Sequence, residues 1–132
     1  MAAEVHKRRY ARERAIELLY EAEQKNLGID EVLAALPLAP DDYAIELVRG
    51  SEQHRVEFDA MIEQRAKGWT LARMPLMDKV ILRLGIEELT AQPDVPTAVI
   101  INEAVELAKQ YSTDDSPKFV NGLLARVADD IR

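Results

Sequence analysis

Cysteine is absent from the 132 residues, so neither a disulfide nor a thiolate-bound metal holds this chain together, and burial must supply its stability. No stretch approaches the roughly 18 consecutive apolar residues that suggest a membrane span, and no long apolar run follows the N-terminal charges. The expectation is a cytoplasmic protein, unsecreted and without a membrane partner. Catalytic constellations are missing as well. The only histidines are His6 and His54, and no nucleophile with a base, no metal-ligand spacing and no phosphate-cradling glycine loop occurs. A helical di-iron site needs Glu-x-x-His pairs, whereas Glu52 and His54 are spaced to point away from a common helix face. We therefore expect no enzyme activity, no cofactor and no metal, with His54 on the surface and the carboxylates spread over solvated helix faces that maintain solubility.

Positive charge is also scarce. With 17 Lys and Arg against 24 Asp and Glu, the net charge is −7, which argues against a general nucleic-acid binder, because such binding draws on basic groups that displace counterions. Any such site must be local. Lys7, Arg8, Arg9, Arg12 and Arg14 cluster near the N-terminus against the single acid Glu13, with Tyr10 interrupting the run. On a helix, cations at this end oppose the macrodipole at a cost of a few tenths of a kcal/mol each. A sequence selected for stability alone would place acids there. On charge alone, a solvated tail and an RNA contact remain equal readings.

The chain is long enough for one domain with one core, 48% of its residues being hydrophobic. Every apolar repeat in it has helical spacing. Ala11, Ala15, Leu18, Leu19 and Ala22 mark a first helix over about 5–25, stopped by Asn26 and Gly28. Asp30 is positioned to cap a short helix through Val32, Leu33 and Leu36, closed by Pro37. The pattern from Asp41 to Lys67 reads as one long helix, weakest at Gly50 and Ser51 and ended by Gly68. Met77 to Leu89 is apolar on most of its circumference and so is expected at the centre of the molecule. Ile101, Ala104, Val105 and Ala108 form the stripe of another helix ending near Tyr111. Ser116 and Pro117 supply an N-cap and an N1 proline for a last helix buried through Val120, Leu123, Leu124, Val127 and Ile131. No strand, internal repeat or low-complexity tract emerges.

Leu82 to Leu89, Val95-Pro96, Ile101 to Lys109 and Ser116 with Lys118-Phe119-Val120-Asn121-Gly122 and Leu124 closely resemble the C-terminal half of the NusB family. Arg8-Arg9, Arg12-Glu13, Ala15 and Leu19-Tyr20 extend the likeness, so it spans nearly the whole chain. The resemblance implies an all-α fold of about seven helices in two packed subdomains, here 1–68 and 69–132. It implies a transcription antitermination factor supporting rRNA transcription, which binds boxA-type RNA together with the ribosomal protein NusE in the transcription elongation complex. By position, Lys7, Arg8, Arg9 and Arg12 would meet RNA phosphates, and Lys118 and Phe119 would form an RNA-contacting pair with the ring stacking on a base. Tyr20, Asp78 and Glu88 would face the ribosomal protein. The RNA reading further expects the basic start and Phe119 to lie close together.

Plainer roles stand beside these. Phe119 is one turn before Leu123 and suits a core edge equally well, and Tyr20 suits a cap on the core. Asn102, near the start of its helix, is expected to bond a free backbone group. Two other functions compete: a helical protein–protein adaptor without an RNA role, and the RNA-binding domain of an rRNA methyltransferase. The second requires a further α/β domain with a glycine-rich loop, and none follows Arg132. The resemblance leaves monomer and homodimer both open.

Overall fold

The computed structural model describes the backbone from Ala2 to Arg132 and the side chains from His6 onward. Among the described residues there are seven α-helices and no strand: α1 (Ala2–Lys25), α2 (Ile29–Ala34), α3 (Asp42–Gln53), α4 (Arg55–Arg65), α5 (Leu76–Ala91), α6 (Thr97–Tyr111) and α7 (Ser116–Ile131), with a 3-10 turn at Leu71–Arg73. No helix is long and apolar enough to cross a membrane.

Local chemistry accounts for most of the boundaries. α1 stops where Asn26 takes a left-handed conformation (φ 54°) and the Leu27 N–H donates back to the Ala22 carbonyl at 2.9 Å, closing the last turn. Asp41 caps α3 by accepting from the Tyr43 N–H at 2.8 Å. Three expectations are corrected. Asp30 sits inside the first turn of α2, whose Ile29 N–H donates instead to the Glu52 carboxylate of α3 at 2.8 Å. The long helix expected from Asp41 to Lys67 breaks at His54, not at Gly50 and Ser51, which stay helical. There the Gly50 carbonyl lies 3.0 Å from both the backbone N–H and the Nδ1 of His54. Finally, Ser116 is wholly buried and binds the preceding loop, accepting from the Thr113 N–H at 3.2 Å and donating to the Ser112 hydroxyl at 3.0 Å.

α5 is the axis of the molecule, in contact with α1, α3, α4, α6 and α7. Its apolar residues from Val80 to Leu89 are buried, and one continuous hydrophobic cluster joins them to Leu18 of α1, Leu47 of α3, Ile62 of α4, Ile100 of α6 and Leu123 of α7. Each such side chain contributes on the order of 1.5–3 kcal/mol through removal from water. α7 comes so close to α5 that a Cβ added at Gly85 would lie 2.9 Å from the Leu124 side chain.

The central helix also buries four charged residues, contrary to the expectation that the carboxylates lie on solvated faces. Asp78, Arg83, Glu87 and Glu88 are all sequestered, and each points at a different neighbour. Asp78 accepts from the Ser112 hydroxyl at the end of α6. Arg83 binds both oxygens of Asp59 on α4, at 2.7 and 2.9 Å, and Glu23 on α1 at 2.9 Å. Glu87 faces His54 at 3.4 Å, so His54 is a half-buried joint residue and not simply a surface one. Glu88 meets Arg12 of α1 and Tyr43 of α3. Buried charge is tolerable only when it is paired and hydrogen-bonded, so these contacts fix which helix lies against which side of α5.

Candidate nucleic-acid interface

The first turns of α1 lie against α3, α5 and α6, and this packing sorts the basic residues into two groups. Lys7 and Arg9 keep most or half of their side chains in solvent. Lys7 stands 3.6 Å from Asp41, and Arg9 stands 3.2 Å from Glu103. Arg8 lies over the Tyr43 ring, 4.9 Å from its centroid. The Lys7–Asp41 contact is a surface pair, worth about 0–1 kcal/mol and screened by salt, so Lys7 can exchange its carboxylate for a phosphate, whereas Arg9 leans on the nearly buried Glu103 with half of its own side chain in solvent. Tyr10, 70% exposed, stands among them.

Arg12 belongs to the other group. It is only 3% exposed, its Nε lies 2.9 and 3.0 Å from the two Glu88 oxygens, and its Nη1 lies 3.6 Å from Glu103. Glu88, 2% exposed, also accepts from the Tyr43 hydroxyl at 2.6 Å. Burial pulls the guanidinium pKa down, but the hydrogen bond to Glu88 and the charges of Glu88 and Glu103 more than offset it, so Arg12 remains charged. Burial and the same carboxylate push the Tyr43 phenol well up, so its hydroxyl stays a proton donor. The expected phosphate contact of Arg12 and the expected partner contact of Glu88 thus fall on two side chains that are buried in the folded chain. Each is the other's partner, and neither reaches the surface.

Asp78, 3% exposed and bound by Ser112, is likewise buried. Tyr20 is half-buried on α1, its hydroxyl accepting from Gln24 at 2.9 Å, and its outer edge stays accessible.

Lys118 and Phe119 open α7 beside a groove of about 710 Å³, which Trp69, Arg73, Met74, Pro75 and the loop 113–116 also line. Lys118 is exposed. The Phe119 ring is half-buried and packs on the core while meeting the Trp69 ring at 6.3 Å between centroids, tilted by 55°. The two readings of Phe119 are therefore compatible in one residue.

The basic start and this groove do not adjoin. α1 runs antiparallel to α5, with Arg12 at Glu88 and Glu23 at Arg83, while Asp78 at the start of α5 lines the groove. Their anchor points, Glu88 and Asp78, are ten residues apart on one helix, or about 15 Å. The expectation that the two ends lie close gives way to two stations on one molecule. Sequence reasoning also missed Trp69 and Arg73 as lining residues. The one available signal was the chain's single tryptophan standing in a connector.

The fold and surface define an all-α bundle built around one buried helix, with an exposed basic helix start and an aromatic groove instead of an enclosed catalytic cavity. Comparison with known proteins makes the class specific. The chain belongs to the NusB family, whose model, described as the NusB family, matches residues 9–129. It is 46% identical over 127 residues to the transcription antitermination protein NusB of Saccharopolyspora erythraea, covering 92% of this chain and 86% of that one. Its structure superposes on T. maritima NusB with a TM-score of 0.83 at 33% identity, covering 93% of this chain and 91% of the other. A crystal structure of the antitermination factors NusB and NusE in complex with dsRNA contains a chain with a TM-score of 0.80 at 26% identity, covering 95% and 98% of the two chains.

Proposed function

We propose that this protein is a cytoplasmic transcription antitermination factor that catalyses nothing, and that it binds boxA-type RNA together with the ribosomal protein NusE within the transcription elongation complex. The observation that carries the reading is the cation set Lys7, Arg8 and Arg9 at the start of α1, exposed at Lys7 and Arg9 and partly exposed at Arg8, on a chain of net charge −7. Three cations at a helix start oppose the macrodipole. Family membership supplies the biological context.

In this reading Lys7, Arg8 and Arg9 contact phosphates, Lys118 and Phe119 form the second contact, and Tyr20 offers a surface to the ribosomal protein. Arg12 and Glu88 act from within by fixing α1 against α5. The segments 1–68 and 69–132 serve as two halves of one unit, divided at Gly68 and Trp69.

The test is a titration of boxA-type RNA with the protein alone and with NusE present. The reading expects binding by the protein alone, strengthened by the ribosomal protein. Absence of RNA binding under both conditions at low salt would overturn it.

A further inference from the structure

Trp69 stands in the connector between α4 and α5, just after Gly68, whose left-handed backbone (φ 80°) turns the chain. Its indole is 51% exposed, although it is the largest apolar side chain the sequence owns. The Trp69 backbone N–H donates to the Ala66 carbonyl at 3.1 Å, which fixes the main chain, and the ring packs beside Phe119 with part of its surface in solvent. Arg73 and Lys118 lie in the same groove.

We propose that Trp69 is the principal base-stacking surface of this protein: an unpaired RNA base lies on the exposed indole, Phe119 braces that ring from the side, and Arg73 and Lys118 hold the adjoining phosphates. The inference rests on the RNA reading above and assigns the stacking to a different ring. Three observations favour it. The 6.3 Å separation and 55° tilt leave no slot in which a base is sandwiched between parallel rings, so a base must stack on an outer face. Phe119 is half-buried against the core, leaving Trp69 with the more open face. The groove lining also carries Asp114 and Asp115, which repel a phosphate backbone but not the face of a neutral base. Among the described residues that line it, Arg73 and Lys118 are the cations, so the phosphates gather at them while the base occupies the ring. Stacking of this kind is sequence-tolerant and is worth roughly 1–3 kcal/mol per base, or about 5- to 150-fold in affinity.

Because Trp69 is the sole tryptophan, the intact protein reports on the site directly. Binding is followed by the anisotropy of a fluorescein-labelled single-stranded RNA of about a dozen nucleotides, and the same RNA without label is titrated against tryptophan emission. The proposal expects emission to fall in step with binding and acrylamide to reach the indole less easily in the complex. Annealing the RNA to its complement should abolish the emission change, since paired bases present no free face. Trp69→Ala should weaken binding by about tenfold, Trp69→Phe should restore most of it, and Trp69→Leu should not, a pattern that apolar packing alone does not produce. Should RNA bind while emission and acrylamide access stay constant and Trp69→Ala binds as wild type, the stacking proposal is overturned and the RNA reading stands. Failure of the single-stranded RNA to bind at low salt, both to the protein alone and with NusE present, overturns both.

Discussion

At the level of single residues, the decisive division is between cations that face water and the one that does not. Replacing Lys7, Arg8 and Arg9 by alanine should keep the fold, since Arg12 still faces Glu103, at the cost of some stability from the lost Arg9–Glu103 pair. It should lower affinity for RNA of any sequence and reduce the salt slope by roughly 0.7 for each phosphate no longer neutralised. Circular dichroism together with RNA titrations at several salt concentrations checks this, and an unchanged slope would mark the basic start as a solvated tail. Arg12→Ala predicts a different failure. It strands the Glu88 carboxylate in the core beside Tyr43, and breaking a buried pair in this way costs about 3–5 kcal/mol. The melting temperature should fall sharply, and any drop in RNA binding should follow the drop in folded protein. An Arg12→Ala variant that melts normally yet fails to bind RNA would return Arg12 to the surface role.

Among the elements, the joint between α3, α4 and α5 carries its own pH dependence. Burial raises the Glu87 pKa above its ordinary 4.5, and the neighbouring His54 opposes the rise only in part. A carboxyl whose folded pKa exceeds the unfolded value holds its proton more tightly in the folded state, so its contribution to stability falls as pH rises through that window. The stability of wild type relative to Glu87→Gln should therefore decrease on going from acid towards neutral pH, as read from denaturant unfolding across pH. A flat or rising difference would count against the buried-carboxyl assignment. The same joint explains Gly50, where an added Cβ would lie 2.1 Å from a Glu87 carboxylate oxygen. Gly50→Ala should destabilise the wild type because the buried carboxylate must move. In a Glu87→Ala background it should turn stabilising by up to about 1 kcal/mol, the helix preference of alanine over glycine. A double-mutant cycle in urea measures that change of sign, and equal effects in both backgrounds would refute the contact.

For the whole molecule, the proposed RNA contacts form two stations whose anchor points, Glu88 and Asp78, lie about 15 Å apart along α5. Sites separated by more than 7–10 Å with no shared partner add in free energy to within roughly 0.3–0.5 kcal/mol. Combining Phe119→Ala with the triple alanine replacement at Lys7, Arg8 and Arg9 should therefore give the sum of the two separate decreases in RNA-binding free energy. Strong non-additivity in anisotropy titrations would mean that the two ends meet after all. An RNA too short to span both stations should bind with the affinity of one station alone. The sequence by itself determined the helical class, the positions of nearly all seven helices and the centrality of α5, because apolar spacing, prolines and glycines act over a few residues and are written locally. It also determined that the densest run of cations lies at the start of α1. Which arginine is free was decided by tertiary structure alone: Arg8, Arg9 and Arg12 are alike in sequence, and only the arrival of Glu88, 76 residues away, takes Arg12 out of water. The same holds for Asp78 and Glu88, which read as surface acids until Ser112, Tyr43 and Arg12 close over them. It holds equally for Trp69, whose pairing with Phe119 joins residues 50 positions apart. Contacts of that span depend on how helices pack and not on local spacing, so no pattern within a turn or two of the chain encodes them.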